Sequence, residues 1–562
     1  MPENPESTAA KGLSRRHMLT VGGASLLATA ATAVPAVAAT HVAASGAGTP
    51  EQIHLTWGND PATSMVVSWA SPGHAIRPHV QIGERIIPAV ERPYTDGLNG
   101  ETTYTYHARI YHLRPGKTYG YTVTADNDAN AADPFSATFT TAPEGRAKFR
   151  FTSFGDLATP NTAWVLSYGQ SAYAVGAVES FQPLFHLLNG DLCYADLNPM
   201  VQPEVWRDFG NNNESSAASR PWMPAPGNHE IEFNNGPQGF TSYLTRYTLP
   251  SNGLPQFEGR WYSFQVGSVL IATLSADDVV YQDAGPFVAG PAALIPAAAT
   301  GNEPIEPGTS FYIHGYSGDE QTRWLEETLR AGRRDPSIDW IIVQMHQCPC
   351  SSSKTGNGSD AGLRAAWQPL FDRYGVDLVL SGHDHDYERS FPIRGTDHNV
   401  GTLTATGTTV DTWRPHPVTT VDSGTFDTSK GTVYLILGCG GTSANLDSYG
   451  VDAADGDTQA RVFTQANRPV PSATPGVYAR IGAQATEDAI WSAKRDTATG
   501  YGIAVFDVDP GSHSDEQTSI TVTHYHALGA DPVNPNTGAK GAPTDDYTAF
   551  ETFTLVRPRA DK

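Results

Sequence analysis

Five polar blocks in this chain carry side chains that bind metal ions, and each follows an apolar run. They are Gly155-Asp156, Gly190-Asp191-Leu192-Cys193-Tyr194, Gly227-Asn228-His229-Glu230, Val343-Gln344-Met345-His346 and Gly382-His383-Asp384-His385-Asp386-Tyr387-Glu388-Arg389. Taken singly, each is ordinary. Gly-Asp after a strand is usually a turn, Asn-His-Glu can open a helix, and a lone His-x-His is more often structural than a ligand pair. Recurrence changes the reading. In open α/β sheets, sites form beyond the carboxyl ends of strands. Here such ends carry Asp156, Asp191 with Tyr194, Asn228 with His229, His346, and His383 with His385. In the loop past its strand, His383 and His385 can converge on one site, each offering an imidazole nitrogen to a different metal ion.

The runs that must position these blocks alternate strand and helix patterns, which implies an α/β layered unit. Residues 149–154, 184–188, 221–226, 338–345 and 376–380 read as the strands, and 432–437 as a further one ending on Gly438-Cys439-Gly440-Gly441. Helices are expected over 164–181 and 363–374. A third follows Ser317-Gly318-Asp319-Glu320, which reads as a capping box; Trp324, Leu325 and Leu329 share its face and Gly332 stops it. Residues 261–266 and 269–274 form a hairpin about Gly267-Ser268, while 501–508, 518–526 and 549–556 close a second sheet. Three stretches lack a sustained period: 277–316, read as a long loop and lid over the site, and 394–430 and 444–495, read as irregular.

Residues 51–143 precede this unit and are all-β. Runs at 52–57, 64–69 and 103–110 read as strands, and Leu113-Arg114-Pro115-Gly116-Lys117-Thr118-Tyr119-Gly120-Tyr121 as a turn feeding another. That Leu-x-Pro-Gly-x-x-Tyr-x-Tyr pattern resembles fibronectin type III, a sandwich of about 100 residues. Trp69 reads as its core tryptophan. Ala142-Pro143-Glu144-Gly145 is the expected hinge into the second unit, 146–558.

Ser14-Arg15-Arg16-His17-Met18-Leu19-Thr20 resembles the twin-arginine export signal. An Ala-rich run over 21–34 follows, then the small-residue sequence Ala36-Val37-Ala38. Residues 1–38 are therefore read as a signal peptide and 39–50 as a polar linker. The apolar run is too short and too broken by Gly and Pro to anchor in a membrane, and no other stretch is apolar enough to span one. The mature chain is expected to be secreted or held at the cell surface.

Length and charge bound the partners. A chain of 562 residues exceeds one ordinary domain, and 39% apolar content is ample for a core. A formal charge of −23 disfavours nucleic acid and anionic membrane surfaces. An anionic substrate would require the site to reverse that sign locally. The cysteines Cys193, Cys348, Cys350 and Cys439 are too few for a disulfide scaffold. Disulfides or buried thiols are expected, because better metal ligands surround them.

The five blocks resemble the metallophosphoesterase superfamily and, more narrowly, the purple acid phosphatase family. That family's pattern is Gly-Asp, Gly-Asp-x-x-Tyr, Gly-Asn-His-Glu, Val-x-x-His and Gly-His-x-His-x-Tyr-Glu-Arg. Tyr194 is the diagnostic residue, and the fibronectin-like unit in front resembles the plant-type, two-domain architecture. The resemblance implies a four-layer α/β/β/α sandwich behind the N-terminal one. It implies that Asp156, Tyr194 and His385 hold a ferric ion, that Asn228, His346 and His383 hold a divalent ion (Zn2+, Mn2+ or Fe2+), and that Asp191 bridges them. The ligand types agree, since hard oxygens suit a trivalent ion while imidazoles and an amide suit a divalent one. Such ions, about 3.5–4 Å apart, clamp a phosphate and generate a hydroxide nucleophile. They carry more positive charge than Asp156, Asp191, Tyr194 and one hydroxide remove, so the site stays positive in an acidic protein. A trivalent ion lowers the pKa of bound water below the ~7 reached on zinc, which points to an acid optimum.

His229, beside a ligand, would bind a phosphate oxygen and protonate the leaving group, with Asn228 also reaching substrate. His186 reads as a buried, hydrogen-bonded residue, His314 as a possible substrate contact, and Glu388 and Arg389 as braces. The chain departs from the pattern at Ala158, where the family has Gly. It also lacks, over 347–356, the extra histidines of the plant enzymes, leaving Lys354 as a substitute. The expected activity is hydrolysis of small phosphate monoesters. A phosphodiesterase or phospholipase-like enzyme is the alternative within the superfamily. A surface binding protein with a vestigial metal site is the alternative outside it.

Overall fold

The structure is a computed structural model that describes residues 46–561 apart from 127–133, 233–234, 237, 283–314, 355–356, 443–457, 472–477, 498, 513–515 and 528–546. The export segment, His314 and most of the expected lid lie outside the described residues.

Two seven-stranded sheets form the body. In the first, Phe149–Phe154 pairs in parallel with Phe185–Asn189, which pairs in parallel with Trp222–Ala225. On its other side Phe149–Phe154 pairs antiparallel with Gly502–Asp509, followed by Gln517–His526 and Thr548–Pro558. In the second sheet, Val269–Thr273, Trp340–Gln344, Leu378–Ser381 and Val433–Leu437 run in parallel. Tyr262–Val266 and Tyr387–Ser390 flank them antiparallel. These parallel strands are apolar but for the last residue of three of them, because both faces are covered. Trp340, Ile342, Leu378, Leu380 and Leu435 share one core with Phe151, Leu187 and Phe506 of the first sheet. The alternate residues Ile341, Val343, Val379 and Tyr434 pack against Leu325, Leu329, Trp367 and Phe371 of the helices outside. The first sheet's own helices are Ser171–Phe181 and Gln202–Ala217. The order is helix, sheet, sheet, helix, as the resemblance implies.

The N-terminal unit is a sandwich of two four-stranded sheets. Trp69 is 2% exposed and stacks on Tyr106, as expected of a core tryptophan. The unit packs directly against the body. Trp57 packs on Phe185 and Phe264, the Thr56 hydroxyl donates to the carbonyl of Thr248, and Ile53 N–H donates to Glu214. Its strand Glu51–Thr56 even bridges to Pro221, extending the edge of the first body sheet.

Several local expectations are corrected. The helix expected over 164–181 begins only at Ser171. The one expected over 363–374 is two short helices, Ala361–Ala366 and Gln368–Tyr374, because Pro369 has no N–H to continue the first. Gly332 does not stop Glu320–Arg334; it faces the sheet, where a Cβ would lie 2.4 Å from a Leu270 methyl. No capping box forms there. Asp319 caps without a side-chain bond, and the Ser317 hydroxyl instead accepts from Gln321 N–H. The stretches read as irregular contain strands. Ile393–Leu403 with Thr409–Pro417, and Gln459–Pro471 with Tyr478–Asp488, build a five-stranded sheet with Ser359–Asp360. The first hairpin buries few of its residues fully, so it lacks the apolar alternation that marks a half-buried strand.

Candidate metal centre

Each block folds as a tight turn at the carboxyl end of its strand. Asp156, Asp191, Tyr194 and His383 all take left-handed backbone, with φ of 58°, 50°, 60° and 71°. Such conformations cost about 1 kcal/mol or more apiece and persist only where surrounding contacts fix them. Here they turn the side chains back over the strand ends. The intervening glycines permit close approach. A Cβ on Gly190 would lie 2.6 Å from His346 Cγ, and one on Gly382 would lie 2.4 Å from Asp156 Oδ2. Ala158 also has φ of 59°, which accounts for the family's preference for Gly at that position.

Six of the seven expected ligands meet in one place, as two neighbouring clusters. In one, Tyr194 Oη lies 2.9 Å from Asp156 Oδ1 and 3.2 Å from His385 Nε2, which is 3.3 Å from Asp156 Oδ1. In the other, His346 Nε2 lies 2.9 Å from Asp191 Oδ2 and 3.2 Å from His383 Nδ1. Asp191, His346 and His383 could hold a metal ion as they stand. The clusters are joined through Asp156 Oδ2, which accepts the His383 N–H at 2.9 Å. Asn228 is buried, and its Oδ1 has no hydrogen-bond partner among the described residues. A buried amide oxygen left unpaired is costly, and this one is available to a cation.

Electrostatics agree with that reading. Burial opposes ionisation of Asp191, but His346 and His229 outweigh it and hold the carboxyl below its usual range. Burial lowers His346, yet Asp191 and Asp156 push it up to about 10. Burial, together with the Asp156 and Asp191 carboxylates, pushes the Tyr194 phenol well up. Without a cation the pocket gathers protons; with one, the same groups are a ready donor set. The tautomer of His346 is set, because its Nδ1 must donate to the carbonyl of Asn189 at 2.7 Å. That leaves Nε2 to face the cluster.

His229 stands at the edge. Its N–H donates to Asp191 Oδ1, its Nδ1 is 2.8 Å from Asp196 Oδ2, and its Nε2 is 3.9 Å from Asp191 Oδ2. Burial lowers its pKa, but Asp196 and Asp191 push it up to about 10, so it carries a proton. Asp196 ends the run after the second block, yet nothing in the run itself points to a partner for a histidine 33 positions on. Glu230 is a second unforeseen part. Its carboxylate accepts N–H bonds from Asp191, Leu192 and Gly227, tying two blocks together.

The bracing roles expected of Glu388 and Arg389 hold. Glu388 accepts from Ser352 N–H, and Arg389 pairs with Glu551 and Asp422. His186 is buried, bonded to the Thr152 hydroxyl and packed between Phe154 and Trp222. The four cysteines are buried free thiols. Cys348 donates to the carbonyl of Gly382, Cys439 to that of Gly502, and burial pushes Cys350 up to about 12. They are neither disulfides nor reactive.

Comparison with known proteins places the chain in a family. The model for the purple acid phosphatase N-terminal domain matches residues 50–142, and that for calcineurin-like phosphoesterases matches 149–387. The chain belongs to the purple acid phosphatase family. Within it, an uncharacterized protein of Mycobacterium tuberculosis is 37% identical over 99% of this chain and 98% of its own length. A phosphoenolpyruvate phosphatase of Allium cepa is 27% identical over 62% of this chain and 65% of its own. The structure of a purple acid phosphatase from yellow lupin (Lupinus luteus) seeds shares the fold. It has a TM-score of 0.59 at 18% identity, covering 92% of this chain and 75% of that one. This purple acid phosphatase is a metal-dependent phosphatase, and no helix among its described residues is long and apolar enough to cross a membrane.

Proposed function

We propose that this chain is an exported phosphatase acting on small phosphate monoesters. Asp156, Tyr194 and His385 would hold a ferric ion, Asn228, His346 and His383 a divalent one, and Asp191, which stands with His346 and His383, would be shared by both. The observation that carries the reading is the meeting of six of these donors as two clusters linked through Asp156. A relative named Fe(3+)-Zn(2+) purple acid phosphatase 12, from Arabidopsis thaliana, supports the metal pair. When bound, the ions supply positive charge for the phosphoryl oxygens and acidify a water for attack. The protein's own groups do the rest. Asp196 orients His229 so that its Nε2–H faces the substrate and can pass a proton to the leaving oxygen. Asn228 and His229 orient the phosphate. Residues 51–143 are a docked β-module, 146–558 the hydrolase, and 1–38 the twin-arginine signal.

Rates on a phenyl phosphate and on the matching bis-ester, for the wild type and Asp191→Ala, test the reading. The monoester should be the faster substrate and Asp191→Ala should lose both activities while staying folded. A faster bis-ester would make the enzyme a diesterase, and unchanged turnover in Asp191→Ala would remove the site. Replacing Arg15 and Arg16 by lysine should keep the chain inside the cell.

A further inference from the structure

We propose that Gln282 is a positioning residue that fixes the tautomer and orientation of His383; the inference rests on the metal assignment above. The His383 ring lies between two contacts. Its Nδ1 faces His346 Nε2 at 3.2 Å, inside the Asp191 cluster, and its Nε2 lies 2.9 Å from Gln282 Oε1. An amide oxygen only accepts, so His383 Nε2 carries the hydrogen and Nδ1 is left to a cation. Were the amide reversed, its NH2 would donate to Nε2 and move the hydrogen to Nδ1, where it would bond His346 and block the metal position.

The structure holds Gln282 firmly for this task. Both Tyr281 N–H and Gln282 N–H donate to Asp360 Oδ2, at 2.7 and 2.8 Å. The other oxygen of Asp360 accepts from Gly362 and Leu363 N–H at the start of the helix Ala361–Ala366. One buried carboxylate thus ties the Gln282 backbone to a helix of the body. Gln282 is itself 1% exposed, and its Nε2 has no partner among the described residues. A glutamine kept only to satisfy buried groups would use both ends of its amide. Among the described residues this one uses its side-chain oxygen alone, on His383. The five blocks do not contain Gln282, and in sequence it is 101 positions from its partner.

The test is Zn2+ binding to the metal-stripped mature protein, followed in zinc-buffered solutions and by calorimetry, for the wild type, Gln282→Leu, Gln282→Asn and Gln282→Glu. The wild type should take up two ions in two steps. Gln282→Leu and Gln282→Asn should weaken one step by about 10–100-fold, the usual loss when a ligand's supporting partner is removed, and leave the other unchanged. Gln282→Glu keeps an acceptor and should bind at least as tightly as the wild type. If Gln282→Leu does not fold, Gln282→Asn, which only shortens the side chain, decides. A wild-type isotherm in the folded Leu or Asn variant overturns the proposal, as does a Glu variant that binds as weakly as they do. A wild type that takes up no Zn2+ overturns the metal assignment instead.

Discussion

His346 Nε2 and His383 Nδ1 face each other at 3.2 Å, and the nearer of the Asp191 oxygens stands 2.9 Å from the first. Two imidazoles so placed beside a carboxylate need a positive charge among them. His346→Ala should lower metal content from about two ions per chain to about one and cut kcat by roughly two orders of magnitude or more. Elemental analysis beside steady-state kinetics checks it; full metal content in the variant counts against the second cluster.

Tyr194 Oη lies 2.9 Å from Asp156, and burial with two carboxylates holds its proton on. Only a strongly acidic cation would ionise it. The loaded protein should therefore be coloured by phenolate-to-iron charge transfer, and Tyr194→Phe should be colourless yet retain iron through Asp156, Asp191 and His385. Visible absorption together with iron content measures this. A colourless active wild type would replace the ferric ion but not the hydrolysis.

Asp196→Asn should lower kcat about 10²-fold or more on alkyl phosphates, the usual scale of a lost general acid, and much less on nitrophenyl phosphate. The physical reason is that an activated leaving group needs no proton, so only the weak leaving group reports the orientation of His229. Equal losses on both substrates would mean that Asp196 merely supports the fold.

Asp377 anchors the second sheet. Its buried carboxylate accepts from Arg333 at 2.7 Å, Arg557 at 2.6 Å, the Thr428 hydroxyl and Ile341 N–H. Burial raises its pKa, but Arg557 and Arg333 outweigh burial and hold it below 3.8. Removing it strands two guanidiniums, so Asp377→Asn should cost about 3 kcal/mol. A carboxyl with a lowered folded pKa stabilises above its unfolded value and loses that contribution as pH falls through the folded one. The stability gap between wild type and Asp377→Asn, from urea unfolding, should be full at pH 6 and shrink below about pH 4.

Gly190→Ala should fold but bind the divalent ion poorly. Its φ of 82° disfavours any side chain, and the added carbon would lie 2.6 Å from the His346 ring. Metal titration with circular dichroism separates the two effects.

The expected ligands were legible because each lies within a few residues of a strand end, where type and spacing are local facts. The parallel strands were legible for a similar reason, since burial on both faces writes an unbroken apolar run such as residues 340–343. What stayed hidden is what distant chain supplies. Asp196, Glu230 and Gln282 take meaning only from the groups they face. Gly332 shows the same limit, because a stop signal and a packing notch are one residue type. The exposed strands Ile393–Leu403 and Thr409–Pro417 bury too little on either face to leave a periodic trace.

The strand that delivers Asp156 has Gly502–Asp509 as one neighbour, and that segment leans in turn on Gln517–His526 and Thr548–Pro558. During synthesis all seven donors leave the ribosome while that flank is still unmade. A product truncated before residue 502 would carry every ligand yet lack the three strands that flank the one delivering Asp156.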